Sequence, residues 1–244
     1  MISIVIPLYN ERDNILTYRD ELFPKIDRIA GATGESFQYV MVDDGSRDDT
    51  YPLLQGLARE RSDVIAVTNG TNKGMGAAIK HGLQYCKGDL VVTMDSDLTF
   101  RPEDVEALIA AYRASHPDCV SGSPYLEQGL MEEVSFIRFL PSKVVNTLYQ
   151  ILLGAKITCV SPPIFRLYRK DVLDEIRIQS NNFEINAEIL AKLILNGRSV
   201  VEVPVVLHTR RYGESKINVS KEIRNHVRLL TKIFKIRVFK GNWD

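Results

Sequence analysis

Short apolar runs alternate with helix-spaced segments through the first half of the chain. SIVIPLY (3–9), FQYVMVDD (37–44), VIAVTN (64–69) and DLVVTMD (89–95) are rich in Val and Ile and bounded by Gly, Asp, Asn or Pro, which predicts strands. The segments near 13–30, 48–61 and 74–86 carry apolar residues at helical spacing. Such repetition predicts an α/β fold with a mostly parallel sheet covered on both faces by helices, in the Rossmann-like manner. The second half predicts a strand at CVSGSPY (119–125), a loop at LEQGLMEE, and a long amphipathic helical region over 135–154 with a break near Pro141. TCVSPPIF reads as irregular, FEINAEILAKLILNG as a helix ended by Gly197, SVVEVPVVLH as a strand and RRYGESK as a polar loop. A basic amphipathic helix follows over 219–238. The pattern divides the chain into a body at 1–218 and a helical end at 219–244, without repeats or low-complexity linkers.

Composition narrows the function classes. The 244 residues are 45% hydrophobic and 25% charged, ordinary for a globular chain that buries a core without staples. Lys plus Arg and Asp plus Glu both number 31, so no global charge attracts nucleic acid. The 3 cysteines, Cys86, Cys119 and Cys159, lack CxxC spacing, and the 4 histidines are scattered, which argues for a reducing compartment and against zinc. MISIVIPLYNE lacks the basic start and cleavage site of a signal peptide, and no apolar run reaches the roughly 18–20 residues that span a bilayer. These features lead us to expect a cytoplasmic protein, or one peripheral on the cytoplasmic face of a membrane.

The chemistry-bearing motifs all fall where predicted strands end: PLYNE, DDGSRDDT, NGTNKGMG and DSD. Ligands of parallel sheets bind at such carboxyl ends. Asp95 and Asp97, at i and i+2 on extended backbone, project to one side and repel unless a cation joins them. Mg²⁺ takes one or two carboxylates together with substrate phosphate oxygens. A solvated loop with Asp97 or Thr99 as a cap is the plainer account of DxD alone. Asp43 and Asp44 close a strand before Gly45, and such an acid can accept hydrogen bonds from a nucleobase or ribose, while capping accounts for Ser46 and Asp48. Gly74 and Gly76 open a helix whose free N–H groups could face phosphate, or serve packing alone. Neither a Walker A loop nor a GxGxxG fingerprint is present.

Together, IVIPLYNE, VDDGSRDDT, NKGMGAAIKHG and GDLVVTMDSDLTFRPED resemble the nucleotide-sugar domain of family 2 glycosyltransferases, which have the GT-A fold. SFIRFLPSKVVNTLYQILLG, FRLYRKDVL, GRSVVEVPV and RRYGESK are similar to later segments of dolichyl-phosphate mannose synthases and related polyprenyl-phosphate transferases. The resemblance covers nearly the whole chain. It implies a nucleoside pocket at Pro7, Tyr9, Glu11 and Asp44, with Lys73 and Ser96 also at the donor, and a metal site for Mg²⁺ or Mn²⁺ at Asp95 and Asp97, with Thr99 where relatives often use Gln. Arg138, Ser142, Arg210 and Ser215 match the acceptor-phosphate residues, and Asp97, Arg210 and Lys216 the catalytic ones. Two positions depart from the pattern: Pro124 stands where the family has Arg, and Val160 about where it has Asp.

The resemblance implies inverting transfer of a sugar, with mannose favoured, from GDP-mannose or a UDP-sugar to a polyprenyl or dolichyl phosphate. A phosphate monoester, with a second pKa near ~6, is a charged nucleophile that asks for cations more than for a base. Transfer to a saccharide hydroxyl would need a base, for which Glu188 and Glu184 are the candidates. A nucleotide-sugar-binding subunit without catalysis is the other alternative, on the strength of Pro124 and Val160. Residues 205–244 hold ten Lys or Arg against three Asp or Glu. A stripe of Lys221, Arg224, Arg228, Lys232 and Lys235 beside Ile223, Val227, Leu230 and Phe234 suits an anionic membrane surface or a membrane-embedded partner, and equally an ordinary helix packed on the domain with a solvated basic face.

Overall fold

A computed structural model of the chain describes residues 1–127, 129–130, 136–160, 164–210, 212, 218–239, 241 and 243, with side chains in the helix that begins at Phe136 described from residue 143. In chain order the elements are β1 (Ile2–Leu8), α1 (Arg12–Ile15), α2 (Tyr18–Glu21), α3 (Phe23–Thr33), β2 (Phe37–Asp43), α4 (Thr50–Glu60), β3 (Val64–Thr68), α5 (Met75–Leu83) and β4 (Leu90–Thr93). A single 3₁₀ turn at Pro102–Asp104 leads to α6 (Val105–Ser115), β5 (Cys119–Ser123), α7 (Phe136–Leu153), β6 (Arg166–Arg169), α8 (Lys170–Asp174), α9 (Ile185–Leu195), β7 (Val200–Pro204) and α10 (Val219–Phe239).

The described strands form a 7-stranded sheet in the order β3-β2-β1-β4-β6-β5-β7. All pairings are parallel except those of β6, which runs antiparallel to β4 and β5. Side chains alternate across β1: Ile2, Ile4, Ile6 and Leu8 join one core with Tyr18, Ile26, Ile29 and Leu108, while Val5 joins a second with Ile79, Ile189 and Leu190. Burial on both faces is why these strands read as continuous apolar runs.

The strand order reverses between β1 and β4, and that seam opens for a covalent reason. Leu8 and Ile2 bond toward β2, through Asp44 N–H to Leu8 O at 2.7 Å and Ile2 N–H to Ser36 O at 2.9 Å, whereas Val5 O faces β4 and accepts from Met94 N–H at 3.1 Å. Odd residues of β1 therefore address β4, and Pro7 is the next of them. Having no N–H, Pro7 cannot continue the ladder beyond the last register pair, Val5 with Thr93. The two strands part there, leaving the crevice expected at a topological switch point.

The elements depart from the sequence pattern in three places. The segment near 13–30 is three helices, because Thr17 closes back onto Asn14 O through both its N–H (3.0 Å) and its hydroxyl (2.8 Å) and ends the first one early. Pro24 then sits in the first turn of α3, where an amide has no partner to lose. The expected break at Pro141 is absent: α7 runs from Phe136 to Leu153, and a proline this near the start removes one ladder bond without dividing the helix. Strand β6 escaped notice because its four residues, RLYR, begin and end in arginine. Arg166 is nonetheless fully buried, and it donates to Ser121 Oγ (3.0 Å) and to the carbonyls of Asn186 (2.6 Å), Cys159 (3.1 Å) and Val160 (2.8 Å).

The doubled acid at the end of β2 ties two loops to the sheet rim. Asp43 accepts from Gly45 N–H (3.2 Å), Ser46 N–H (3.0 Å) and Thr68 Oγ1 (2.7 Å), holding the turn after β2. Asp44 accepts from Asn69 Nδ2 (2.7 Å), Lys73 N–H (3.0 Å) and Gly74 N–H (2.7 Å), holding the loop before α5. The glycines there answer to packing. A Cβ on Gly74, whose φ is +101°, would lie 2.3 Å from Asn181 O, and one on Gly76 would lie 2.8 Å from Asn181 C. Ala77 N–H also donates to Asn181 O, at 3.2 Å. The start of α5 is thus held by Asp44 and the 180–182 segment, which engage the N–H groups of Lys73, Gly74 and Ala77.

Helix α10 buries Leu229 and Ile233 against the second core. His226 Nδ1 lies 2.8 Å from Tyr149 OH on α7, and Arg237 Nη1 donates to Leu152 O at 2.7 Å. Burial lowers the His226 pKa below its ordinary value, against an opposing pull from Glu184. The native state therefore favours neutral imidazole, so this contribution is complete above about pH 6.5 and is lost as pH falls from there toward the lowered native value. Urea melts at pH 7.5 and 5.5 should show a loss of stability in the wild type that His226→Gln lacks, by on the order of 1 kcal/mol. For Asp44→Ala, which leaves buried donors unmatched, a loss of about 2–4 kcal/mol in the same melts is expected, with an unchanged denaturant slope.

Candidate functional site

Three carboxylates meet where β1 and β4 part. β1 delivers Glu11 through a turn in which Asn10 takes a left-handed φ of 52°. β4 delivers Asp95 and Asp97, followed by Leu98 at φ 53°, a conformation a leucine holds only when its surroundings impose it. Leu98 packs against the first core, and Tyr18 OH donates to Ser96 O at 2.7 Å, so packing and one buried hydrogen bond fix the turn. Thr99 returns its N–H to Asp97 Oδ1 (3.2 Å) and its hydroxyl to Asp95 Oδ2 (3.4 Å).

The cation in this cluster arrives from far along the chain. Arg210 Nε donates to Asp97 Oδ2 at 2.6 Å, and its Nη2 lies 3.5 Å from Glu11 Oε1. Glu11 is held in turn by Asn14 Nδ2 at 2.5 Å. Burial, and then Asp97, push the Asp95 carboxyl well above its ordinary range, while Arg210 and the Thr99 hydroxyl pull it back. Tyr18 is raised by burial first and then by Glu11, Asp97 and Asp95. Among the described residues, one guanidinium thus faces three acids.

This donor set fits a hard divalent cation. Asp95, Asp97 and the Thr99 hydroxyl offer oxygen only, the preference of Mg²⁺ and Mn²⁺, and Asp95 is destabilised as a carboxylate until positive charge is added. Among the described residues no group of three or more His, Cys, Asp or Glu could hold a metal by itself. Two carboxylates completed by substrate oxygens is the arrangement Mg²⁺ usually takes.

The other sequence-derived candidates fall into three groups. Pro7, Tyr9 and Ser96 line the same end of the sheet, with Pro7 and Ser96 buried and Tyr9 half-buried. Asp44 is 2% exposed and anchors the 69–74 loop, in which the side chain of Lys73 is exposed. Arg138 and Ser142 lie on α7, but their side chains are outside the described residues, as are Ser215 and Lys216 altogether. The proposed bases are placed elsewhere. Glu188 is 1% exposed, accepts from the N–H groups of Gln179 and Ser180 (3.0 and 2.7 Å) and pairs with Lys192 at 3.0 Å. That network lowers its pKa against the effect of burial and makes it a fixed structural anion. Glu184 accepts from Asn225 Nδ2 at 3.1 Å beneath α10. Val160 is buried in the second core, and its carbonyl answers Arg166 in a place where the family pattern has an acid.

Sequence reasoning missed the 113-residue link from Arg210 to Asp97, which no local pattern announces, and the Tyr18 and Asn14 supports of the site. Only the similarity of the RRYGESK loop to family members pointed toward Arg210.

Comparison with known proteins identifies the family and the fold. The profile described as Glycosyl transferase family 2 matches residues 3–177. A dolichol-phosphate mannosyltransferase of Pyrococcus furiosus is 34% identical over 96% of this chain and 64% of its own length. An undecaprenyl-phosphate 4-deoxy-4-formamido-L-arabinose transferase of Klebsiella pneumoniae is 31% identical over 94% of this chain and 66% of its own. This chain thus spans slightly less than two thirds of the length of these relatives. Among solved structures, glucosyl-3-phosphoglycerate synthase of Mycobacterium tuberculosis with Mg²⁺ and uridine diphosphate superposes with a TM-score of 0.68 at 18% identity, covering 97% of this chain and 79% of that one. The fold is that of the GT-A enzymes, and the chain belongs to glycosyl transferase family 2.

Proposed function

We propose that this chain transfers a sugar, with inversion, from a nucleotide-sugar to a polyprenyl phosphate, in a reaction that depends on Mg²⁺ or Mn²⁺. The observation that carries this reading is the convergence of Glu11, Asp95, Asp97 and Arg210 in the crevice between β1 and β4. The relatives named for dolichol-phosphate and undecaprenyl-phosphate transfer support the acceptor class, and the 34% identical mannosyltransferase favours mannose, and so GDP-mannose, over a UDP-sugar.

In this reading Pro7, Tyr9, Glu11, Ser96 and the Asp44–Lys73 loop shape the nucleoside pocket. Asp95 and Asp97, with Thr99 beside them, hold the cation, which supplies Lewis-acid stabilisation to the departing diphosphate. Arg138, Ser142, Arg210 and Ser215 position the acceptor phosphate, and Arg210 and Lys216 add positive charge at the leaving group. An acceptor phosphate oxygen bonds to the anomeric carbon as the bond from that carbon to the donor diphosphate breaks. The nucleophile arrives as an anion, so the commitment of Glu188 to Lys192 and two backbone amides costs this chemistry nothing. A hydroxyl acceptor, by contrast, would lack its named base.

A lipid acceptor also requires a surface on which to meet it. Among the described residues no helix is long and apolar enough to cross a membrane. At 100° per residue, Val219, Ile223, Val227, Phe234 and Val238 form one stripe of α10, and all are exposed. Lys221, Arg224, Arg228 and Lys235 form the neighbouring stripe and are exposed as well, and Lys232 on that stripe bonds Gln179 Oε1 at 2.7 Å. Val144, Leu148 and Ile151 are exposed on α7, which packs against α10. We assign this face to the cytoplasmic surface of a membrane, or to a membrane-embedded partner, with 1–218 as the catalytic body and 219–244 as the contact helix.

With radiolabelled GDP-mannose, Mn²⁺ and dolichyl or undecaprenyl phosphate, the expected product is chloroform-soluble label that falls at least ~100-fold in Asp97→Ala. Label that remains water-soluble with every lipid phosphate refutes the acceptor assignment. In liposome flotation, replacing Arg224, Arg228 and Lys235 together by Gln should weaken binding to anionic vesicles about 100-fold, at roughly 1 kcal/mol per charge. Equal flotation of the variant removes the membrane role of the basic stripe.

A further inference from the structure

We infer that Arg210 is a built-in counter-cation of the carboxylate cluster and competes with the divalent ion for Asp97. The inference rests on the metal-dependent reading above and adds a role for this side chain before any donor is bound. Both oxygens of Asp97 are engaged: Oδ1 by Thr99 N–H at 3.2 Å and Oδ2 by Arg210 Nε at 2.6 Å. A divalent ion drawn to the same carboxylate meets a guanidinium already in contact with it, and two cations on one anion repel.

The partners differ in freedom. The side chains of Glu11 and Asp97 are 7% and 9% exposed and tied by Asn14 and Thr99, whereas that of Arg210 is 27% exposed. When the ion binds, the acids stay and the guanidinium moves, because it is the most exposed of the three side chains. Arginine suits this post because it stays charged at every working pH and spans two acids with one planar group. The trade is reciprocal: Arg210 stabilises the metal-free pocket and weakens its affinity for the ion by the same linkage.

The test combines Mn²⁺ titration, read as free Mn²⁺ by EPR, with one NMR observation on the unmodified protein. Arg210→Gln should bind Mn²⁺ about tenfold more tightly than the wild type, equivalent to about 1.4 kcal/mol. Arg101→Gln removes a cation that lines the cavity beside Asp97 but bonds toward His208, and should change the affinity less than twofold. Metal-free Arg210→Gln should also melt at a lower temperature and gain more from Mg²⁺ than the wild type does. The Nε–H resonance of Arg210, assigned through Arg210→Lys, should leave its hydrogen-bonded position when Mg²⁺ saturates the wild type.

An Arg210→Gln affinity that is unchanged or weaker overturns the inference, as does an equal gain in Arg101→Gln, which would mark a long-range charge effect. A resonance indifferent to Mg²⁺ overturns it even if the Arg210→Gln protein fails to fold. Should wild type bind Mn²⁺ in a manner lost in Asp97→Asn while Arg210→Gln gains nothing, competition alone falls. Should neither wild type nor Arg210→Gln bind Mn²⁺, the metal-dependent reading falls with it.

Discussion

The molecule is organised around mutual repulsion among acids that the chain cannot move apart. Glu11 follows one central strand, Asp95 and Asp97 follow its neighbour, and the sheet brings those ends together whatever the charges prefer. Burial makes the conflict worse, which is why the Asp95 carboxyl is displaced so far from its ordinary range. Among the described residues the chain supplies one guanidinium from the far side of the sequence, and three acids against that one base leave a demand for positive charge. In the reading proposed above, a nucleotide-sugar bound through a cation would meet that demand, and the loss of the cation would restore the conflict.

Around this centre the structure prefers fixed hydrogen bonds to bulk. Asp43 and Asp44 are adjacent in sequence yet hold different loops, one behind the turn after β2 and one ahead of α5. The 180–182 segment then presses on Gly74 and Gly76 and ties the second half of the chain to the first. The rim of the pocket is therefore assembled from residues between Pro7 and Arg210, and its shape depends on the whole domain having folded.

The legible part of this design was the part written locally. Burial on both faces made β1, β2 and β4 continuous apolar runs, and the acids at their ends stood out because nothing else explained charges there. The antiparallel strand β6 was hidden by its terminal arginines, since a buried guanidinium satisfied by carbonyls looks in sequence like an exposed one. The bonds by which Asp44 holds the Asn69 amide and the Gly74 N–H span 25 and 30 residues, distances at which spacing carries no signal. Glu188 was visible as an acid but not as an anion pinned between Lys192 and two amides. Arg210 was reached through family likeness alone, and its partner across the sheet became apparent only in three dimensions.

Pro7 sets a limit on what loop motion can do to this pocket. An imino nitrogen at the point where the next rung would form prevents β1 and β4 from zipping shut, whichever way the surrounding loops move. The width of the mouth is thus a property of bonding within the chain, inherited by every state that keeps the sheet. Opening and closing then fall to side chains and surface segments above the missing rung.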